Sequence, residues 1–295
     1  MIKKIVLIDR TGIDEFVLNE LERLSEQVVV YDDDPQTTEE ILSRAKGAEV
    51  IMVSWRTKLT GDIINKLPHL KYVGMCCSLY DAASANVDII QCQTQGIDVK
   101  GCYHYGDQGV SEYILGELIR LFSGTGDNMY KDEPIELEGI KLGIIGLGAV
   151  GELVARSGVF FDMQVSYHNR KKKEDSKYRY QEFGELLENS DVISVHLPRN
   201  TVVLDKDAFM RMGNGKVLIS TGLGLSFEME AFDKWIREDN NYGIFDMAST
   251  TEEFRARYQD QKNVIVGKKV SGFTKNARKR LAEKAMDNLN SYLNV

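Results

Sequence analysis

The chain has 295 residues, 43% of them hydrophobic and 28% charged, with a formal net charge of -8. That length predicts two cores rather than one, and the balance of apolar and charged residues excludes a disordered chain. The acidic charge argues against a nucleic-acid or anionic-membrane surface and leaves small-molecule chemistry. The opening MIKKIVLIDRTGIDEF holds an apolar run too short for a signal segment or a membrane span, so a cytoplasmic protein is expected. The four cysteines, Cys76, Cys77, Cys92 and Cys102, have no CxxC spacing and read as reduced core residues rather than a redox or metal site.

Strand-like and helical patterns alternate from the first residues. KKIVLID precedes the amphipathic DEFVLNELERL, VVVYDD precedes TTEEILSRAKG, EVIMVSW precedes TGDIINKL, YVGMCCS precedes ANVDIIQCQTQG, and IDVKGCY closes the series. Such β-α-β repetition predicts a parallel sheet covered on both faces. An apolar helix over 110–122 follows, hydrophobic on most sides and suited to burial between two domains. After the polar SGTGDNMYKDEPIELEG the alternation restarts at Ile140 as KLGIIG, MQVSYH, DVISVHL, KVLIST, YGIFD and VIVG. The chain ends in a helix that places Ala277, Leu281, Ala285 and Leu289 on one stripe. The predicted fold class is α/β, with two doubly wound parallel-sheet domains. The first spans 1–103 and is completed by a helix over 270–295; the second spans 104–269.

In GIIGLGAVGELVA, Gly146, Gly148 and Gly151 stand at G-x-G-x-x-G spacing between a strand and a helix. The first glycine allows a tight turn, the second lets backbone approach a pyrophosphate, and the third lets helix and strand pack closely. With the amides of Ala149 and Val150 at the helix start, this is a dinucleotide-binding turn. An acidic residue about 20 positions later normally holds the ribose hydroxyl of NAD. Here Asn169 takes that place and Arg170 follows, ahead of the lysines at 171–173. Asn beside Arg suits a 2'-phosphate, which an Asp would repel, so the cofactor is expected to be NADP or NAD, with NADP favoured.

Taken in order, LPHLKYVG, NVDIIQCQTQGIDV, VSEYILGELIRL, KLGIIGLGAVG, SDVISVHLPRNT, KVLIST, YGIFDMA and FTKNA resemble the D-isomer-specific 2-hydroxyacid dehydrogenase family nearly end to end. The resemblance implies a flavodoxin-like substrate domain, an inserted NAD(P)-binding Rossmann domain and a returning C-terminal helix. It implies hydride transfer between nicotinamide and a 2-keto or 2-hydroxy acid, and a homodimer formed through the Rossmann domains. Carried over by position, His196 and Pro198 line the adenine side, while Thr221 and Asp246 face the nicotinamide half. His196 reads equally as a satisfied core histidine.

The family's three catalytic residues are absent from this chain. Leu223, in LISTGLGLS, stands where the family has its substrate-binding Arg; Thr251 stands in place of the Glu, and Lys269 in place of the His. The four histidines are His69, His104, His168 and His196, so no shift of alignment restores one near Lys269. The loop MCCSLYDAASANVD is also longer than the family's glycine-rich substrate loop. Losing a positioned general acid costs about a hundred to ten thousandfold in rate. Three candidates for the vacated roles remain: Lys269, as an anion holder or proton donor, Arg56 as an anion holder, and His104 with Tyr103 and Tyr105 as proton donors. Each has a plainer alternative as an exposed loop residue or hinge packing. Two readings stay open: an NAD(P)-dependent oxidoreductase with atypical catalytic residues, or a catalytically silent NAD(P)-binding regulatory protein.

Overall fold

The apolar runs become short parallel strands in a computed structural model of the chain, which describes residues 1–294 except Tyr80, Asn200 and Asp239. Tyr80 belongs to the lengthened MCCSLYD loop and Asn200 to HLPRNT, and both lie outside the described residues. The first elements are β1 (Ile5–Leu7), α1 (Asp14–Leu24), β2 (Val28–Val30), α2 (Thr38–Ala45), β3 (Val50–Val53), α3 (Gly61–Ile64), β4 (Tyr72–Met75), α4 (Ile89–Thr94) and β5 (Asp98–Gly101). There follow α5 (Asp107–Ser123), β6 (Lys141–Ile145), α6 (Ala149–Phe160), β7 (Gln164–His168), β8 (Arg179–Tyr180), α7 (Phe183–Asn189) and β9 (Val192–Val195). Then come α8 (Lys206–Met212), β10 (Val217–Ser220), α9 (Met229–Ile236), β11 (Tyr242–Phe245), a 3-10 turn (Met247–Ser249), α10 (Glu252–Tyr258), β12 (Val264–Val266) and α11 (Lys275–Leu293). The chain divides into two compact units, Met1–Tyr105 with Lys275–Val295, and Gly106–Thr274. The divisions fall a few residues beyond those read from sequence.

The first unit holds a five-stranded sheet in the order β2-β1-β3-β4-β5, every pair parallel. Alternate strand residues face opposite sides. Val6, Ile8, Ile51, Val53, Val73 and Met75 join Ile41, Ile63, Ile64 and Cys92 in one apolar cluster. The opposite face is covered by α1 and α11, which pack on one another, and α11 also packs on β4 and β5. Ala277, Leu281, Ala285 and Leu289 are all buried, so the stripe read from sequence is the packing face of α11. Arg278 ties that helix to Glu15 on α1.

The second unit holds a seven-stranded parallel sheet, β12-β11-β10-β9-β6-β7-β8. The same alternation feeds two clusters. Ile145, Ile193, Val195, Leu218 and Phe245 belong to one, with α7, α8 and α9 residues. Leu142, Ile144, Val192, Val217, Ile219 and Ile244 belong to the other, with α5 and α6 residues. Strands buried on both faces must be apolar at every position, which is why they read as continuous runs. Connections leave in opposite directions from β6 and β9, and ligands of such sheets bind at that switch point, beyond the carboxyl ends of the strands. The apolar helix α5 buries Ile114, Leu118, Leu121 and Phe122 in this unit, but Ile119 stays 41% exposed.

The Leu281 side chain is fully buried, and truncating such a leucine costs about 2–5 kcal/mol. Leu281→Ala is therefore expected to lower the urea midpoint of unfolding markedly, whereas Lys279→Ala, at an exposed position on the same helix, should shift it little. Equal midpoints for the two variants would contradict the packing face assigned to α11.

Candidate functional site

The glycine turn is built by three different steric demands at the switch point. Gly146 follows β6 with φ +96°, and a Cβ there would lie 2.2 Å from the carbonyl oxygen of His196. Its amide donates to the His168 carbonyl at 3.0 Å, which ties the end of β6 to that of β7. Gly151 lies inside α6, and a Cβ there would come within 2.2 Å of the Gly146 carbonyl oxygen. Gly148, which caps α6, has ordinary dihedrals and nothing within 4 Å of its would-be Cβ. It thus faces open space, beside the exposed Ala149 and half-buried Val150. No side chain caps α6, so its first amides are left for a ligand. A glycine with room in front of it, at an uncapped helix start, is a cradle that fits a pyrophosphate.

Asn169 directly follows the next strand, β7. Its Oδ1 accepts the Leu147 amide at 2.7 Å, holding the glycine turn from the side. The carbonyl half of the side chain is thereby used and the NH2 half is left to donate. Arg170 and the three lysines after it are exposed. Lys173 is fastened by its backbone, its amide donating to the Tyr167 hydroxyl at 3.0 Å, and that hydroxyl donates to its carbonyl at 3.2 Å.

His196 follows β9. Its Nε2 lies 2.9 Å from the hydroxyl of the fully buried Ser194, and burial pushes the imidazole down to about 4. The ring is neutral at pH 7, so it can line an uncharged adenine without placing a cation there. Pro198 is exposed just beyond it, and Thr221 is half-buried after β10. Leu197, Pro198, Leu223 and Leu225 help enclose a cavity of about 10 Å³ between these two strand ends, no larger than one water.

Asp246 was expected to face the nicotinamide half, but its carboxylate is turned into the unit and is 1% exposed. One oxygen accepts the amides of Ala248 (3.1 Å) and Ser249 (2.9 Å). The other accepts the amide (2.9 Å) and hydroxyl (2.6 Å) of Ser271. A carboxylate has about four acceptor sites, so none is left for a cofactor in this arrangement. Ser271 was missed in the sequence, although its place was marked: it stands two residues after Lys269, the residue in place of the family's His. A glycine there would keep the amide bond and lose the hydroxyl.

The other replacements also have local employment. Thr251 caps α10, its hydroxyl accepting the Phe254 amide at 3.1 Å, and Glu252 and Glu253 are exposed in the first turn of that helix. Lys269 accepts the Met247 amide on its carbonyl at 3.3 Å, while its side chain is exposed. Gly224 has φ +85° and donates to the Ala248 carbonyl at 3.2 Å, so the second Gly-Leu-Gly is a pinned chain reversal. No helix starts at its glycines, since α9 begins only at Met229.

In the first unit, Arg56 donates to the Arg10 carbonyl at 3.1 Å, lies 3.7 Å from an Asp34 oxygen and stacks over Trp55. Beside it the buried Asp9, at the β1/β3 switch point, accepts the amide and hydroxyl of Ser54, and burial raises its carboxyl above the usual range. His104 is exposed in the left-handed region at φ 57°, its ring 6.4 Å from that of Tyr103. All four cysteines are buried and unbridged, and burial pushes the Cys92 thiol up to about 11 and that of Cys102 to about 12.

A sequence profile of the NAD-binding domain of D-isomer specific 2-hydroxyacid dehydrogenases matches residues 122–266. A hydroxypyruvate reductase of Blautia hydrogenotrophica is 27% identical over 92% of this chain and 91% of its own. A glyoxylate reductase of Aeropyrum pernix is 27% identical over 91% of this chain and 88% of its own. Among solved structures, an acyclic imino acid reductase (Bsp5) in complex with NADPH and D-Arg superposes with a TM-score of 0.84 at 24% identity, covering 99% of this chain and 97% of that one. At that identity the structural match speaks for the fold.

The contrasting glycines yield a test of the cradle. Gly148→Ala has room for its methyl group and is expected to leave the thermal midpoint nearly unchanged while weakening NADPH binding about tenfold or more, since a methyl group displaces a closely approaching phosphate. Gly151→Ala meets backbone and should lower both stability and binding. NADPH titration and melting of the two variants separate these effects, and unimpaired binding by Gly148→Ala would remove the cradle.

Proposed function

We propose that the chain is a member of the D-isomer-specific 2-hydroxyacid dehydrogenase family and, on that premise, an NADP-preferring oxidoreductase that transfers hydride to a carbonyl compound with atypical catalytic residues. The observation that carries this reading is the intact turn of Gly146, Gly148 and Gly151, open only where a pyrophosphate would come. In it, Ala149 and Val150 supply amides to the phosphates. Asn169 donates through its side-chain NH2 to the ribose side, and Arg170 pairs with a 2'-phosphate. His196 and Pro198 lie against the adenine, and Thr221 faces the nicotinamide half. The cofactor, when bound, supplies the hydride; the chain has to hold the carbonyl and deliver a proton to its oxygen.

For that proton Lys269 is the first candidate. Its side chain is exposed, and its backbone is held by the Met247 amide. Asp246 and Ser271 keep the two segments together. From the first unit, His104 is the candidate proton donor and Arg56 the candidate anion holder. The silent reading keeps one specific support: Leu223, Thr251 and the inward Asp246 each have a structural occupation that owes nothing to catalysis. Fold alone does not choose between the two. Fluorescence titration followed by a carbonyl screen does, because both readings predict NADPH binding and only the oxidoreductase predicts NADPH oxidation that Lys269→Ala abolishes.

The cofactor preference has its own test. A charge-assisted contact contributes about 1.5–3 kcal/mol, or roughly ten to a hundredfold in affinity. Arg170→Ala is expected to weaken NADPH by that factor and NADH much less. Asn169→Asp should keep the Leu147 contact yet reverse the order by adding a negative charge. Equal losses for both cofactors would refute the 2'-phosphate assignment.

We also propose a homodimer formed through the second unit. In support, Ile119 on α5 (41% exposed) and Val159 and Phe160 on α6 (49% and 80%) put apolar side chains outward on two helices that pack together. Light scattering on the native protein should give twice the chain mass, and Phe160→Asp should shift it toward the monomer. A native monomer would overturn the proposal.

A further inference from the structure

We propose that the carbonyl substrate carries no carboxylate beside its reacting carbon, and that Leu223 sets this preference. The inference rests on the hydride-transfer reading above and names the substrate class for it.

Leu223 is fixed by its neighbours. Gly224 turns the chain at φ +85° and is pinned to the Ala248 carbonyl, while a Cβ on Gly222 would already touch the Leu197 carbonyl oxygen at 3.4 Å. The half-buried leucine side chain forms part of a wall with Val195, Leu197, Pro198 and Leu225 at the ends of β9 and β10. The two serines of that lining, Ser220 and Ser226, bond to each other at 3.0 Å. No Lys, Arg or His is among the described residues lining this wall. The adjoining strand end, after β11, carries Asp246, whose carboxylate is turned inward and fully bonded, so it supplies nothing to the wall.

A carboxylate brought against this wall would lose water and, among the described lining residues, gain no ion pair and only the Thr201 hydroxyl as a side-chain donor not already engaged, which is unfavourable on general grounds. A neutral aldehyde, ketone or keto amide loses far less. It also matches an apolar surface through its substituent. The reaction balances without a clamp: the carbonyl carbon gains hydride as its π bond breaks, the oxygen takes one proton, and NADPH is oxidised by two electrons to NADP+. Lys269 then serves as the proton donor rather than as a second anion holder.

The test compares matched pairs that differ only in charge, pyruvate against pyruvamide and benzoylformate against benzoylformamide, in NADPH oxidation by the full-length protein. The native protein should favour the amide by about tenfold or more in kcat/KM, and Leu223→Arg should reverse the order, since a charged hydrogen bond contributes roughly ten to a hundredfold. A binding readout accompanies it: oxamate titrated into the NADPH-loaded protein should quench nicotinamide fluorescence only in Leu223→Arg, with Leu223→Lys as the second variant. A native preference for the acids, or equal oxamate binding by native and variant proteins, overturns the inference and leaves the oxidoreductase reading standing. NADPH binding without oxidation of any member refutes the oxidoreductase reading and this inference with it.

Discussion

The second unit depends on the contact between the Gly146 backbone and the carbonyl oxygen of His196, where a Cβ would stand at 2.2 Å. Two parallel strands, β6 and β9, meet there as their connections leave in opposite directions. The turn after β6 has to pass over the end of β9, and only a residue with φ near +96° and no side chain can make that passage. Once it is made, α6 starts where its first amides face the crevice. The third glycine lets the helix close onto the turn. Asn169 then braces the turn from β7, so the cradle is held by backbone and one amide, without a charged side chain.

Both Gly-Leu-Gly segments end a parallel strand, yet only the first can receive a phosphate. After β6 the helix begins at once, at Ala149, and its unpaired amides are aimed outward. After β10 the chain reverses at Gly224, is pinned to the 3-10 turn, and makes a bridge between Phe227 and Leu204 before α9 starts. The glycines there serve the reversal, and the leucine between them is held against apolar neighbours. The difference lies in the distance from glycine to helix, which the motif spacing alone does not encode.

The sheets were legible because their strands are buried on both faces and therefore apolar throughout, as in KLGIIG and DVISVHL. The packing stripe of α11 was legible for the same reason at helical period. The glycine turn was legible because each of its three positions has a steric demand only glycine meets or a ligand needs. What escaped was decided by direction and partner. Asp246 sits at a strand end, as expected, but whether its carboxylate points to the crevice or into the unit depends on Ser271, a residue distant in sequence. The two-residue β8 escaped because so short a strand carries no periodicity to be read.

The departures from the family's catalytic set share one feature: each replacing residue is built into its surroundings. Thr251 caps a helix, Leu223 completes an apolar wall, and Ser271 adds a hydroxyl to the bonds that hold Asp246. A chain that had merely lost an Arg, a Glu and a His would be expected to leave open polar gaps where they had stood, with uncompensated donors or acceptors around them. Instead the Asp246 carboxylate is fully bonded and the wall between β9 and β10 is nearly closed. That is a rebuilt site rather than a decayed one. The cofactor turn beside it keeps every steric feature that a phosphate requires, so the replacements are confined to the catalytic positions and leave the cradle intact, as the oxidoreductase and the silent reading both require.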